Sequence, residues 1–234
     1  MLALQLLERR AAMQSKATEK INIQIMENEL AATDWELNHL AWELYWWICF
    51  FQIVFFKAEP VPIPALTFEK TRVNTLGHYR IGRNDWAVRE QINLNRLYLT
   101  RPLFEILVTL IHEMVHSWEF TYLPKEKRTK SWYHSKAFRD KMAEFGILTN
   151  PNGSHAGLDY KGKFVQTLKQ HAVAFNDIEA SISGGSTVIP INPKPTKKGS
   201  SKLKKWTCGC TNIRVAVKDA EIQCLKCKNQ FVKA

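Results

Sequence analysis

The sequence predicts an α+β fold that carries a helical extension at its N-terminus and a small cysteine-rich module at its C-terminus. Long stretches without glycine or proline predict helices, whereas short β-type stretches lie between residues 65 and 94. Four of the five cysteines fall after residue 207, and a segment rich in Ser, Gly, Pro and Lys precedes them. These observations divide the chain into a helical extension (1–33), a main domain (34–180), a flexible basic linker (181–204) and a C-terminal module (205–234).

Two helices are predicted before residue 57. Residues 1–31 contain no glycine or proline, and their patchy apolar stripe favours packing on the main domain or on a partner over a coiled coil. Thr33-Asp34-Trp35-Glu36 has the capping-box pattern and predicts a second helix that runs to about Phe56. The apolar run from Tyr45 to Phe56 is shorter than the roughly 20 residues that span a bilayer, so we interpret it as a core element and expect no transmembrane segment. The N-terminal charges follow the apolar residues, which is the wrong order for a signal peptide, so we expect a cytoplasmic protein.

Four short strands are predicted after a proline-rich connection at residues 59–64. They are Ala65–Phe68, Thr71–Asn74, Leu76–Ile81 and Gln91–Leu94. The turn residues at positions 82–85 separate the third strand from the fourth.

A buried helix is predicted from Arg101 to Phe120. Pro102 is its only glycine or proline and is tolerated in the first turn, and Thr100 is a suitable N-cap. Apolar side chains cover most of the circumference, which is typical of a helix surrounded by protein. Two histidines and a glutamate on such a helix need polar partners, and a metal ion is one such partner.

His112-Glu113-Met114-Val115-His116 within this helix is the zincin motif H-E-x-x-H. Histidines four residues apart lie on one helix face, so both imidazoles can bind one zinc ion. Glu113 lies about 100° round the helix from His112, beside the metal, where a general base can take a proton from water. The motif predicts a zinc hydrolase, most often a peptidase, and therefore a zincin-like main domain. The alternative is a pair of core histidines that bond to the backbone.

A catalytic zinc needs a third protein ligand and one open position for water. His134 is preferred because it follows the zinc helix closely and lies at the start of another helix, so a short loop can fold it back over the metal. The alternatives are His155, which lies beside a turn, and Glu119, which shares a helix face with His116. Glu119 could also be the hydrogen-bond partner of a ligand.

Two further helices are predicted after this loop. The first begins at Trp132 and ends at Gly146, and the second runs from about Lys163 to Ala180. Between them, the residues from Asn150 to Ser154 predict a turn.

Cys208-Gly209-Cys210 and Cys224-Leu225-Lys226-Cys227, with thirteen residues between them, have the layout of a zinc ribbon. Four thiolates suit a closed tetrahedral site, so Cys208, Cys210, Cys224 and Cys227 are the predicted ligands of a structural zinc. Paired cysteines of this kind indicate a reducing compartment. Residues 213–217 and 222–223 are predicted to pair as a hairpin between the two cysteine knuckles, and zinc would supply much of the folding energy of so small a module.

Positive charge is concentrated at the C-terminus. Residues 194–234 carry 11 Lys and Arg against 2 Asp and Glu, which is +9 of the formal +11 of the chain. A basic appendage of this kind commonly binds nucleic acid and less often an anionic membrane; the alternative is a solvated lysine tail without a partner. The candidate contacts are Lys197, Lys198, Lys202, Lys204, Lys205 and Trp206. The lysines would contact phosphates, while Trp206 would either stack on a base or belong to the ribbon core.

The zincin motif, the segment His134-Ser135-Lys136-Ala137-Phe138, the basic linker and the paired cysteines together resemble the SprT-like (Spartan-type) metalloprotease family. The resemblance covers about residues 34–180 and 205–234, including the stretches at 71–81 and 91–95. It implies a zinc-dependent peptidase in which His112, His116 and His134 bind zinc and Glu113 is the catalytic base. The best understood members of the family degrade proteins crosslinked to DNA and depend on DNA for activity. Ser135 stands where the family usually has glycine, a departure that bears on the local backbone.

Two functions are compatible with these features. The first is a zinc peptidase with one catalytic and one structural zinc, a protein substrate, and DNA as a partner that holds it near DNA-associated proteins, in the cytoplasm or at the nucleoid. In this hypothesis an edge strand beside the cleft pairs with an extended substrate, and Tyr133 and Tyr160 are candidates for stabilising the oxyanion. The second is a non-enzymatic, zinc-containing DNA-binding or scaffolding protein. Glu113 favours the first, because a purely structural site has no use for a carboxylate beside an open coordination position.

Overall fold

Helices and short strands are mixed along most of the chain, so the predicted α+β class is confirmed. The computed structural model describes residues 17–81, 88, 90–130, 133–175, 188–189, 203–216, 219 and 221–233. The chain divides into two compact units, residues 1–192 and 193–234.

The described part of the larger unit contains five α-helices. They are α1 (Ala17–Ala31), α2 (Asn38–Val54), α3 (Leu103–Tyr122), α4 (Lys136–Glu144) and α5 (Lys163–Gln170). Two short 3₁₀ helices, Arg96–Tyr98 and Lys125–Lys127, lie on either side of α3. In α3, 13 of the 20 residues are buried, so the predicted buried helix is confirmed and α3 runs through the core. Among the described residues, no helix combines the length and the apolar character that crossing a membrane requires.

The first sheet lies against α3. It consists of β1 (Ala65–Thr67), β2 (Gly77–Arg80) and β3 (Gln91–Leu94) in the order β1-β3-β2, with β1 parallel and β2 antiparallel to β3. The central strand β3 is buried along its whole length, whereas β2 is at the edge and partly exposed. Gly77 at the start of β2 lies so close to α3 that a Cβ atom there would be 2.8 Å from the Thr109 side chain.

The sequence pattern did not predict the second sheet. It consists of β4 (Ile147–Thr149), β5 (His155–Asp159) and β6 (Val188–Ile189), with β4 and β6 antiparallel to β5. Strands of two to five residues are too short to show the alternation that identifies a strand in a sequence. The predicted turn from Asn150 to Ser154 connects β4 to β5.

Helix α1 packs on the rest of the larger unit. The Asn22 amide donates a hydrogen bond to the Ile63 carbonyl at 3.0 Å, and Met26 is buried in the core. At the C-terminal end of α1, the Asn38 amide donates to the Leu30 carbonyl at 3.1 Å, which satisfies a carbonyl that the helix leaves open.

Three predicted helix boundaries are wrong. Residues 33–37 form turns and α2 begins at Asn38 without a side-chain cap, because the backbone N–H groups of Trp35 and Asn38 bond locally to carbonyls within the turn. Helix α4 begins at Lys136 instead of Trp132, because Ser135 caps it. Helix α5 ends at Gln170 rather than near residue 180.

The predicted strand Thr71–Asn74 is also wrong, because this segment is a turn held by a buried amide. The Asn95 side chain accepts a hydrogen bond from the Thr71 N–H at 3.3 Å and donates to the carbonyls of Arg72 at 3.2 Å and Thr75 at 2.6 Å. A side chain from outside the segment thus supplies the hydrogen bonds that a neighbouring strand would otherwise make.

The smaller unit is built on a three-stranded antiparallel sheet. Its strands are β7 (Lys204–Thr207), β8 (Asn212–Val215) and β9 (Val232–Lys233), in the order β8-β7-β9. The predicted hairpin between residues 213–217 and 222–223 is wrong, because β8 pairs with β7 and Gln223 pairs with Gln230. The small core contains Trp206, Phe231 and two cysteines.

Candidate metal centres

Helix α3 presents His112 and His116 side by side. Their ring centroids are 5.0 Å apart, as expected for residues one helical turn apart on the same face. Phe138 of α4 packs against both rings, with centroid distances of 4.7 and 4.5 Å. The buried phenyl ring therefore supports one side of the pair.

His134 joins this pair from the loop before α4. Its Nε2 atom is 3.1 Å from Nε2 of His112, and its ring centroid is 4.9 Å from that of His116. Potential ligand atoms of the three histidines all lie within 4.8 Å of one another. The fold therefore brings His134, the third predicted ligand, to the other two histidines, although it is 22 residues from His112 along the chain.

Hydrogen bonds at the opposite nitrogens orient two of these rings. His134 Nδ1 donates to the Asn152 carbonyl at 2.8 Å, and His116 Nδ1 donates to Oε2 of Glu119 at 3.2 Å. A carbonyl or a carboxylate can only accept, so the proton of each ring is on Nδ1 and the Nε2 lone pair is free. Glu119, an alternative ligand from the sequence, thus lies behind a histidine and not among the three.

His155, the other alternative ligand, lies behind His112. Its Nε2 atom is 3.0 Å from Nδ1 of His112. Burial, with the nearby Arg101 guanidinium as the next cause, lowers the pKa of His155 to about 4, so this imidazole is neutral near neutral pH. Burial likewise lowers the pKa of His112 well below its usual range, and the neighbouring histidines add to the effect.

The three-histidine group fits a metal ion of the zinc type. Two nitrogens that bind one tetrahedral zinc at about 2.0–2.1 Å are separated by about 3.3 Å, close to the 3.1 Å between His112 and His134. Neutral imidazoles are the form that binds metal, and burial lowers the pKa of both these histidines in that direction. Among the described residues the group has three members, each partly exposed, which matches a site with one open position.

Glu113 lies beside this group beneath the edge strand β2. Its side chain is buried, and a Cβ atom on Gly77 would be 3.2 Å from its Oε1 atom. Burial raises the pKa of Glu113 to about 7, while the nearby His116 and a hydrogen bond from the Tyr79 backbone N–H act in the opposite direction. A cation held by the histidines would lower this pKa further.

Ser135, the residue after His134, hydrogen-bonds to Glu119, which in turn accepts a hydrogen bond from His116. Its Oγ atom accepts from the Phe138 N–H at 3.0 Å as the N-cap of α4, and donates to Oε1 of Glu119 at 2.5 Å. Its φ angle of −63° is an ordinary one for any residue, so glycine is not needed at this position. Serine at position 135, where the SprT-like family usually has glycine, therefore provides two hydrogen bonds without backbone strain.

The four C-terminal cysteines form a second cluster, in the smaller unit. The Sγ atoms of Cys208 and Cys210 are 3.3 Å apart, and those of Cys210 and Cys224 are 3.5 Å apart. Cys227 is the fourth member, and all four Sγ atoms lie within 4.8 Å of one another. The pKa of Cys224 is lowered to about 6, mainly by a hydrogen bond from the Cys227 backbone N–H. Four thiols at these distances could hold one tetrahedral metal ion.

The predicted nucleic-acid contacts are only partly described. Lys197, Lys198 and Lys202 lie outside the described residues. Lys204 and Lys205 are exposed on β7, whereas Trp206 is 8% exposed and belongs to the core of the smaller unit, which favours the structural interpretation of this side chain.

Several residues of interest were missed by reasoning from the sequence. Arg214 on β8 lies directly opposite Lys205 on β7, a pairing that the wrong hairpin prediction did not contain. For Asn152 and Gly153 the sequence predicts only a turn. Of the oxyanion candidates, Tyr133 is 62% exposed, and Tyr160 packs under Lys169 with the ammonium 3.6 Å from its ring centre.

No protein-family model, curated protein or solved structure matches the chain. The resemblance therefore depends on the motif residues themselves.

Proposed function

We propose that the chain is a zinc-dependent peptidase of the SprT-like type, with a zincin-like domain and a zinc ribbon that binds nucleic acid. The observation that carries the proposal is the convergence of His112, His116 and His134, with Glu113 buried beside them under the edge of a sheet. Three imidazoles with one open position, together with an adjacent carboxylate, are what metal-assisted hydrolysis requires.

Each of these residues has a specific role in the proposed mechanism. His112, His116 and His134 would hold zinc, which when bound would lower the pKa of a water molecule and polarise the scissile carbonyl. The Glu113 carboxylate takes a proton from the attacking water and passes it to the nitrogen of the leaving amine. Burial favours the protonated form of Glu113, whereas the nearby His116 and a cation held by the histidines favour the carboxylate, so both forms that proton transfer requires are accessible.

The edge strand β2 supplies a place for an extended peptide. In an antiparallel pair the backbone groups of successive residues point alternately toward and away from the partner strand. The Asn95 N–H bonds to the Leu76 carbonyl, so Gly77 and Tyr79 direct their backbone groups to the side of β2 that faces away from β3. The Tyr79 N–H reaches Glu113, which means that this edge faces the carboxylate. A peptide paired with β2 would therefore lie beside the base.

The decisive test is Glu113→Gln in the full chain. We expect it to retain zinc at both sites but to lose at least about 100-fold of its activity on casein or histone, because glutamine cannot accept the proton. Glu144→Gln, an exposed change on α4, should retain both zinc and activity. His112→Ala should lower the zinc content from two ions to one. Unchanged cleavage by Glu113→Gln would refute the mechanism, and a wild-type chain that binds zinc only at its cysteines would favour the non-enzymatic alternative.

Two basic side chains on the ribbon support nucleic-acid binding. Lys205 on β7 and Arg214 on β8 are direct cross-strand neighbours and both are exposed. Like charges placed opposite each other in a sheet are unfavourable unless an anion lies between them. A phosphate group would supply that anion.

The salt dependence of DNA binding tests this part of the proposal. The double variant Lys205→Ala/Arg214→Ala should weaken binding to both single- and double-stranded DNA and reduce the slope of log affinity against log salt by about 2. The matched control Lys57→Ala/Lys161→Ala removes the same charge from exposed positions of the larger unit and should leave the slope unchanged. An unaltered slope in the ribbon variant would exclude these two residues as phosphate contacts.

A further inference from the structure

The segment from Asn150 to His155 contacts two of the three histidines at once. It begins as a tight turn, in which the Asn150 N–H bonds to the Ser154 carbonyl at 2.8 Å and the Gly153 N–H to the Asn150 carbonyl at 2.7 Å. It continues into β5, where His155 pairs with Thr149 of β4. The turn is therefore fixed at both ends by backbone hydrogen bonds.

The first contact is with His134. Besides accepting the Nδ1 proton at the Asn152 carbonyl, the turn places Gly153 against the imidazole ring. Gly153 has φ +83°, and a Cβ atom there would lie 2.1 Å from Cγ of His134. Arg139 ties the two segments together, because one guanidinium nitrogen donates to the His134 carbonyl at 2.9 Å and to the Pro151 carbonyl at 2.7 Å. The ring is thus held against a backbone that has no room for a larger residue.

The second contact is between His155 and His112. The two rings are nearly perpendicular, at 85°, and Nε2 of His155 is 3.0 Å from Nδ1 of His112. The shared proton can belong to either nitrogen. If it belongs to His112 Nδ1, then His112 Nε2 has a free lone pair for the metal; if it belongs to His155, the proton of His112 must be on Nε2 and blocks the metal.

We infer that the 150–155 segment is a positioning element for the metal centre, and that His155 acts as the hydrogen-bond acceptor that keeps Nε2 of His112 free to bind the ion. The Asn152 carbonyl does the same for His134, so a single turn sets the tautomer and orientation of two ligands. Backbone hydrogen bonds fix the turn at both ends, so its contacts hold both rings in these orientations. This inference rests on the metal centre of the proposed function but not on peptide hydrolysis.

Zinc affinity of the full chain, measured by competition with a chromophoric chelator, tests the role of His155. His155→Phe keeps a ring but cannot accept, so we expect zinc at the histidine centre to bind about 10- to 100-fold more weakly, while the cysteine site is unchanged. His155→Gln can place an amide oxygen near the position of Nε2 and should restore most of the affinity. His155→Asn is too short to reach and should behave like the phenylalanine variant. His39→Phe, at an exposed histidine of α2, should match the wild type.

The comparison of His155→Gln with His155→Asn keeps the test valid even if the phenylalanine variant fails to fold. Equal affinity of the Gln and Asn variants would refute the acceptor role, as would an affinity of His155→Phe within about twofold of the wild type. A difference between Gln and Asn in the absorption spectrum of the cobalt-substituted histidine centre would support the role, because ligand orientation alters that spectrum. If the wild-type chain binds zinc only at its cysteines, the proposed metal centre itself fails; if it binds two ions and all His155 variants bind equally, only this inference fails.

Discussion

Replacing Ser135 by alanine removes two hydrogen bonds from the loop that carries His134. The Oγ atom caps α4 through the Phe138 N–H, and loss of such a cap costs about 1 kcal/mol. It also donates to the buried Glu119 carboxylate, and a bond to a charged group contributes about 1.5–3 kcal/mol. Glu119 keeps the Thr129 N–H and His116 as partners, so the loss is not the full cost of an unpaired charge. We expect the free energy of unfolding to fall by about 2–4 kcal/mol.

Urea denaturation of the full chain, followed by helical circular dichroism, measures this change. Ser135→Gly should lose slightly less than Ser135→Ala, since glycine is nearly as good an N-cap as serine, but it still lacks the donor to Glu119. Thr33→Ala is the matched control: the sequence nominates Thr33 as a cap, but in the structure it is exposed at a turn and α2 has no side-chain cap. Its effect should be below about 0.5 kcal/mol. A comparably small effect of Ser135→Ala would refute the reasoning.

Three further changes have definite expected outcomes. Gly153→Ala should weaken zinc binding at the histidine centre at least about tenfold, because the new Cβ would displace the His134 ring. Gly209→Ala has a similar φ of +88° but open space around it, so it should cost only the backbone strain. Equal zinc affinity of the two variants at the histidine centre would contradict this. Burial raises the pKa of Glu29 from 4.5 to about 7, so the native state binds its proton more tightly than the unfolded chain and stability falls as the pH rises through that interval. Glu29→Gln should therefore gain stability relative to the wild type by about 1–2 kcal/mol above that interval, after allowance for solvent screening, and a pH-independent difference in urea denaturation would disprove it. Cys224→Ser should lower the metal content by one ion and make the smaller unit sensitive to limited proteolysis while helical circular dichroism is retained. A smaller unit that stays protected would show that a metal ion is not needed for its folding.

Local spacing made part of this molecule predictable. The 3.6-residue period of a helix places His112 and His116 on one face and Glu113 beside them, and the continuous apolar pattern around them indicates a buried helix. The cysteine spacing in the same way predicts two close pairs of thiols, because a short knuckle brings its two thiols together whatever surrounds it, while the meeting of the two pairs depends on the fold. These features depend on residues a few positions apart.

The tertiary structure decided how the distant parts meet. Helical period could not choose between His134 and His155, since both lie outside regular helices and their distances to His112 depend on how the loops pack. The same holds for the turn beneath His134, for the Asn95 amide that replaces a predicted strand with a turn, and for the pairing of Lys205 with Arg214. Long-range contacts of this kind have no period in the sequence, because they follow from side-chain volumes and hydrogen bonds that are satisfied only once the core has formed.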